Sequence, residues 1–378
     1  MSYCVNSTCR NPENSAYSQR CHSCGSQLVL RDRYRVIKPL AQGGFGTTFL
    51  AQDEALPGQP SCVIKQLRSS EVTPMLVQMA RSLFETEAVT LGKIGNHPQI
   101  PRLLDYFEEH EQFYLVQEYI HGMTLQQEVK QNGVFGEVGV KQFLSEILPL
   151  LQYIHECKMI HCDIKPANIV RRAQDGKLVL IDFGAVKNQV SQLANQPEQR
   201  ALTAYAIGTP GFAPVEQMVL RPVFASDIYA VGVTCIYLLT GKFPKDLDYN
   251  PRTGEMLWKQ LVQTSDQLSV VLRKMLEVSV HNRYQSVEQV LKALDLEFYV
   301  DTFTQDTPVE SFTVSKEQMS AYSQESRILC GNSCTDLFKQ SVAQMATAIQ
   351  AKSIKMVDTS CIKLTSNEPI FTAAIVDE

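Results

Sequence analysis

Two kinds of hydrophobic pattern follow one another along this chain. Residues 34–37 (Tyr-Arg-Val-Ile), 47–51, 61–65 and 113–117 are short runs rich in β-branched and aromatic residues, set between glycine, proline and charged turns. Such runs predict strands. Between the third and fourth, residues 75–94 read as one long helix. Past Gly122 the apolar spacing turns helical, over 140–156, 225–240, 267–278 and 286–296. A strand-rich small lobe followed by a helix-rich large lobe is an α+β plan. From Asp301 the pattern weakens. Residues 301–325 are rich in Ser, Thr and Gln and read as a linker, and 337–349 predict a short amphipathic helix with Phe338, Val342, Met345 and Ile349 on one face. Residues 1–30 are poor in apolar residues and hold four cysteines. The expected organisation is a module at 1–30, a main domain at 34–300 and a tail at 301–378, with no fixed-period repeat.

Composition narrows the class. A 44 % hydrophobic content in 378 residues supports a sizeable core. The net charge of -5 argues against non-specific nucleic-acid binding. The opening Met-Ser-Tyr-Cys has neither a basic nor an apolar secretory region, so a cytoplasmic location is expected. The longest apolar run, about 228–239, is too short for a bilayer and predicts a buried helix rather than a membrane span. In a reducing compartment, eleven cysteines point to metal ligation, redox sensing or simple burial rather than to disulfides.

Four motifs carry candidate chemistry. Gln42-Gly-Gly-Phe-Gly-Thr-Thr lies between two predicted strands, where glycines permit a hairpin whose N–H groups approach phosphate oxygens. Taken alone it also serves as a plain turn, and the strand that follows it excludes a dinucleotide fingerprint. Lys65 ends an apolar strand; its ammonium needs an anion there, or water at the strand end. Glu87 on the following helix is its candidate partner, and Glu85 and Glu87 cannot both point the same way. His161-Cys-Asp-Ile-Lys-Pro-Ala-Asn crowds Asp163, Lys165 and Asn168 between apolar flanks. A carboxylate orients or deprotonates a hydroxyl, a lysine neutralises a transferring phosphoryl group, and an amide oxygen holds magnesium. Asp182-Phe-Gly follows an apolar strand, and reads as a metal site or as an ordinary turn.

In this order and spacing, over roughly residues 34–298, the motifs resemble the eukaryotic-type protein kinase superfamily. Later landmarks agree: Gly208-Thr-Pro-Gly-Phe-Ala-Pro-Val-Glu, Asp227, and Arg283 as a partner for Glu216. The resemblance implies a two-lobed kinase fold, with ATP and Mg2+ as cofactors and proteins as substrates. It implies that Lys65, positioned by Glu87, holds the α- and β-phosphates. Asp163 would act as base or hydroxyl orienter, and Asn168 and Asp182 would ligate magnesium. Residues Leu40, Ala41, Gln42, Gly43, Gly44, Phe45, Gly46, Thr47 and Thr48 would form the loop over the nucleotide. Glu118 and Ile120 would offer backbone groups to adenine behind Gln117. Lys165 together with Thr209 resembles the serine/threonine branch.

Three departures stand out. Ala41 replaces the first loop glycine, and its methyl group restricts positive φ. Val63 and Thr48 flank the adenine position; their bulk and hydroxyl are expected to weaken ATP binding by about 1–3 kcal/mol where the pocket does not adjust. Cys162 stands where most kinases carry an arginine that pairs with a phosphorylated activation segment. Without that charge, phosphorylation at Ser191 or Thr203 is expected to bring little electrostatic gain. The thiol beside Asp163 is either a redox switch or an inert buried group.

Cys4-x4-Cys9 and Cys21-x2-Cys24 match tetrahedral zinc in a segment too short to build its own core. The other reading is a disordered tail with redox-active thiols. With only Arg10 and Arg20 as basic residues, this head is not expected to bind nucleic acid. A zinc-ribbon-like head directly before a kinase domain resembles a group of cyanobacterial serine/threonine kinases. The leading expectation is therefore a bacterial protein serine/threonine kinase. Its alternatives are a pseudokinase scaffold and, disfavoured by the 208–216 segment, a small-molecule phosphotransferase. Cys330 and Cys334 in the tail read as incidental.

Overall fold

The structure is a computed structural model that describes residues 1–42, 46–67, 74–110, 112–188 and 208–295. The chain divides into two units, Met1–Gln305 and Asp306–Glu378, and the described residues all belong to the first. The expected helix at 337–349, the loop tip Gly43, Gly44 and Phe45, Ser191, Thr203, Cys330 and Cys334 lie outside the described residues.

The small lobe is a six-stranded antiparallel sheet. In chain order its strands are β3 (Val29–Leu30), β4 (Tyr34–Gln42), β5 (Gly46–Asp53), β6 (Ser61–Leu67), β7 (Leu103–Glu109) and β8 (Gln112–Glu118), and in space they run β3-β4-β5-β6-β8-β7. Helix α1 (Pro74–Ile94) interrupts them, as the pattern predicts. Strand β7 was not legible beforehand: only Phe107 is buried in it, and Asp105, Glu108 and Glu109 break its alternation at the sheet edge. Register divides the faces. Lys65 pairs with Leu115 and Val63 with Gln117, so these four share one face; Cys62, Ile64 and Val116 share the other.

That second face is covered by the head. Strands β1 (Ser2–Tyr3) and β2 (Glu13–Asn14) form a small hairpin. Tyr3 and Val5 pack against Leu30, Tyr34, Val36, Phe49 and Ile64. Buried Arg35 pairs with Glu54 and donates to the Ser18 carbonyl at 2.8 Å. The head does lack an adequate core of its own, and it uses the sheet of the small lobe instead.

The large lobe begins with β9 (Gly122–Thr124) and α2 (Leu125–Asn132), whose start is fixed by a reciprocal Thr124–Gln127 capping box. Of the later helices α4 (Val215–Met218), α5 (Phe224–Thr240), α6 (Asp266–Met275) and α7 (Val287–Ala293), helix α3 (Glu137–Glu156) packs chiefly on α5 and α7. Helix α5 is buried on nearly every side, as its continuous apolar run requires, and ends on Gly241 at φ +68°. Helices α6 and α7 stop three residues before their expected ends, and Ser265 and Ser286 cap their starts. Short strands β10 (Met159–Ile160), β11 (Ile169–Arg172), β12 (Leu178–Leu180) and β13 (Lys187–Asn188) carry the polar loops between α3 and α4. Among the described residues no helix is long and apolar enough to cross a membrane.

Candidate functional site

Two polar clusters form where the lobes meet. In the first, Lys65 Nζ on β6 donates to Glu87 Oε1 at 2.5 Å and to Asp182 Oδ1 at 2.8 Å. Helix rotation settles which glutamate turns inward: Glu87 is 3 % exposed, whereas Glu85 pairs on the surface with Arg81. Burial works against the Lys65 ammonium, but Asp182 and Glu87 outweigh it and hold its pKa above the ordinary value. Burial pushes Glu87 up, opposed by Lys65 and by the Phe183 N–H that it accepts. The Lys65 charge draws Asp182 down to about 2, so this carboxylate is ionised. Asp182 itself sits at φ +66°, a conformation costly for a side-chain-bearing residue.

The second cluster is centred on Asp163. Its Oδ2 accepts from Lys165 Nζ at 2.7 Å and from Asn168 Nδ2 at 2.8 Å, and its Oδ1 accepts from Thr209 Oγ1 at 2.8 Å. Lys165 also donates to Thr209 Oγ1 at 2.7 Å. Because the Asn168 nitrogen is taken by Asp163, its amide oxygen is the atom left to meet a cation. The Ile181 N–H donates to the Asn168 carbonyl at 2.8 Å and ties the two clusters together.

Asp227, a landmark with no role assigned by sequence, organises the loop from below. Its carboxylate accepts from the His161 and Cys162 N–H groups at 2.8 and 2.9 Å and lies 3.0 Å from His155 Nε2. Burial lowers the pKa of His161, whose ring packs edge-on against Phe183. Arg283 meets Glu216 in a bidentate pair at 2.6 and 3.1 Å.

The nucleotide-side residues fall as follows. Leu40, Ala41 and Gln42 end β4, and Gly46, Thr47 and Thr48 open β5, with Ala41 opposite Thr48 and Gln42 opposite Thr47. Ala41 has no positive φ, so the constraint expected from its methyl group is not met at this position. Gly46 is needed for close approach: a Cβ there would lie 2.1 Å from the Gln66 carbonyl oxygen. Glu118 ends β8 with its carboxylate against Arg102, and Ile120 is buried with Val170 and Val179. Cys162 is buried, with its thiol 3.6 Å from the Ile160 carbonyl.

In the head, the sulfurs of Cys4, Cys9, Cys21 and Cys24 all lie within 4.8 Å of one another. Cys4 and Cys24 are 3.5 Å apart, and Cys9 and Cys21 3.6 Å. Zinc–sulfur bonds of about 2.3 Å in a tetrahedron put sulfurs roughly 3.8 Å apart, so the donor set fits zinc. Burial opposes ionisation of Cys21, but the N–H groups of Cys24 and Ser23 and the amide of Asn14 bring it down to about 6.

Residues 34–294 match the family model for the protein kinase domain. Over 315 residues the chain is 58 % identical to serine/threonine-protein kinase B of Synechocystis sp., covering 83 % of this chain and 55 % of that protein. It is 46 % identical to serine/threonine-protein kinase C of the same organism, over 71 % of this chain and 51 % of that one. Against serine/threonine-protein kinase PknA of Nostoc sp. the identity is 43 %, over 71 % and 48 %. The chain spans about half the length of these curated relatives. With one match running through both lobes and both polar clusters, the chain belongs to the protein kinase domain family.

Proposed function

We propose that this chain transfers the γ-phosphate of ATP to serine or threonine hydroxyls of proteins, as a bacterial signalling enzyme. The observation that carries the proposal is the Asp163 hub, a carboxylate held by Lys165, Asn168 and Thr209. In this reading Asp163 orients the acceptor hydroxyl and takes its proton, while Lys165 stabilises charge on the transferring group. Lys65, fixed between Glu87 and Asp182, holds the α- and β-phosphates. Backbone groups of Glu118 and Ile120 receive adenine beneath the strand ends around Gly46. Asn168 and Asp182 would hold magnesium, which supplies charge neutralisation on the phosphates. A pseudokinase scaffold would be expected to have lost one of these groups, and all five (Lys65, Glu87, Asp163, Asn168 and Asp182) are in place.

The four cysteines would hold a structural zinc, whose binding contributes folding free energy to the head. A reducing interior keeps such thiols available as ligands, which favours the cytoplasm.

The test is radiolabelled γ-phosphate transfer to a generic basic protein with magnesium, followed by phosphoamino-acid analysis. Phosphoserine or phosphothreonine that vanishes in Asp163→Ala is the expected result. Nucleotide binding without transfer to any tested protein would favour the scaffold.

A further inference from the structure

Residue 162 is held from both sides. Its φ of +66° lies in the left-handed region, disfavoured for any residue with a Cβ. On one side its N–H donates to Asp227 Oδ1 at 2.9 Å. On the other, its carbonyl belongs to the peptide group that leads into Asp163, and accepts from Gln217 Nε2 at 2.5 Å. Gln217 is 3 % exposed and sits on α4 directly after Glu216, whose carboxylate is gripped by Arg283. Gly208 leaves room for this bond: at its φ of +86°, a Cβ would lie 2.5 Å from both the Cys162 oxygen and Gln217 Nε2. The 208–217 segment thus reaches the Asp163 loop at three points, through the space left by Gly208, the hydroxyl of Thr209 and the amide of Gln217.

We infer that Gln217 is a positioning residue for phosphate transfer, whose amide sets the peptide plane between Cys162 and Asp163 and so aims the Asp163 carboxylate. The inference rests on the kinase reading above. The Cys162 thiol has no positive charge to offer a phosphate, and the Gln217 bond needs none. A neutral side chain built into α4 makes the connection between activation segment and catalytic loop that an arginine and a phosphate would otherwise make. Docking of α4 and alignment of Asp163 then become one event, because the Gln217–Cys162 hydrogen bond spans them.

The test uses the full chain. Wild type, Gln217→Met and Gln217→Glu are compared in the transfer assay, with rates expressed per nucleotide-binding site titrated by ADP, so that misfolded protein drops out. Gln217→Met is expected to lower kcat per site about tenfold while KM for ATP stays within about twofold. Gln217→Glu, which turns a carboxylate toward the carbonyl, is expected to fall further. It is close in shape to glutamine and carries the comparison alone if the methionine variant does not fold. Variants that match wild type per site, or a loss explained wholly by KM for ATP, overturn the inference and leave the kinase reading standing. A wild-type chain that binds ADP yet transfers no phosphate removes both.

Discussion

The Thr209 hydroxyl stands between the two groups expected to handle the transferred phosphate: it donates to Asp163 Oδ1 at 2.8 Å and accepts from Lys165 Nζ at 2.7 Å. One hydroxyl therefore sets both the direction of the carboxylate and the position of the ammonium. Thr209→Val keeps the shape and removes the bonds. It is expected to lower kcat about tenfold, with nucleotide affinity within about twofold, because the Thr209 hydroxyl bonds Asp163 and Lys165 rather than Lys65. Thr209→Ser restores the hydroxyl and should recover most of the rate. A valine variant at the wild-type kcat would remove Thr209 from the mechanism.

The head and the small lobe share one core, so metal loss should be felt as loss of kinase-domain stability. Tyr3 lies tilted against Phe49, 6.0 Å between ring centroids, and Val5 packs on the same sheet face. The wild-type chain is expected to carry about one zinc ion, and Cys21→Ser to lose it. If the four cysteines hold the head together through zinc, metal loss is expected to loosen the hairpin and expose the face bearing Val36, Phe49 and Ile64 to water. We expect Tm to fall by about 5 °C or more in Cys21→Ser and in chelator-treated wild type, read by metal analysis and thermal melting. Zinc loss that leaves the melt unchanged would mean that the head packs equally well without metal.

Much of this site was visible in the chain, and the part that was not has a physical reason. Lys65, Asp163, Asn168 and Asp182 each admit a plain reading alone, since a costly polar group among apolar neighbours can also be a strand end or a turn. Their joint order and spacing, through the resemblance to protein kinases, single them out. Glu87 is already the candidate partner of Lys65 by sequence, and the rotation of α1 turns it inward while Glu85 pairs with Arg81 on the surface. The seat of the head depends on Tyr3, Val5 and Arg35 meeting residues far along the chain, and no local pattern encodes such contacts. Gln217 gave no signal at all, since a glutamine beside a glutamate reads as surface until its burial is known. Strand β7 was hidden by the acidic residues that an edge strand can afford.

Glu137 offers an acid-stability test away from the active site. It opens α3 and accepts from Lys141 Nζ at 2.8 Å and from the Ser265 N–H and hydroxyl, each at 2.6 Å, so it joins α3 to the cap of α6. The Lys141 charge first, then the Ser265 bonds, pull its pKa from 4.5 to about 2. The folded value lies below the unfolded one, so the stabilisation is fully present above about 4.5 and disappears as pH falls toward 2. The side chain is 22 % exposed, and solvent screening limits the contribution to about 1 kcal/mol. Glu137→Gln should therefore melt about 2–4 °C below wild type at pH 7, with the gap closing as pH falls from about 5 to about 2. A gap that persists unchanged into acid would assign the effect to packing rather than to charge.

The Lys65 cluster separates function from stability. In Lys65→Met the ammonium between Glu87 and Asp182 is gone, and two carboxylates face each other across an apolar side chain. Glu87 has the raised pKa of the pair, so it takes up a proton first and relieves the repulsion. The fold should therefore survive, with Tm within about 5 °C of wild type. Transfer should not survive: a preorganised cation on the phosphates is worth about 100-fold or more in kcat. Glu87→Gln keeps a hydrogen-bond acceptor for Lys65 while removing the charge that fixes it, and is expected to lose about tenfold. If Lys65→Met unfolds instead, the ion cluster is a structural element of the interlobe junction. If it folds and keeps more than about a tenth of the wild-type rate, Lys65 does not hold the phosphates in the transition state.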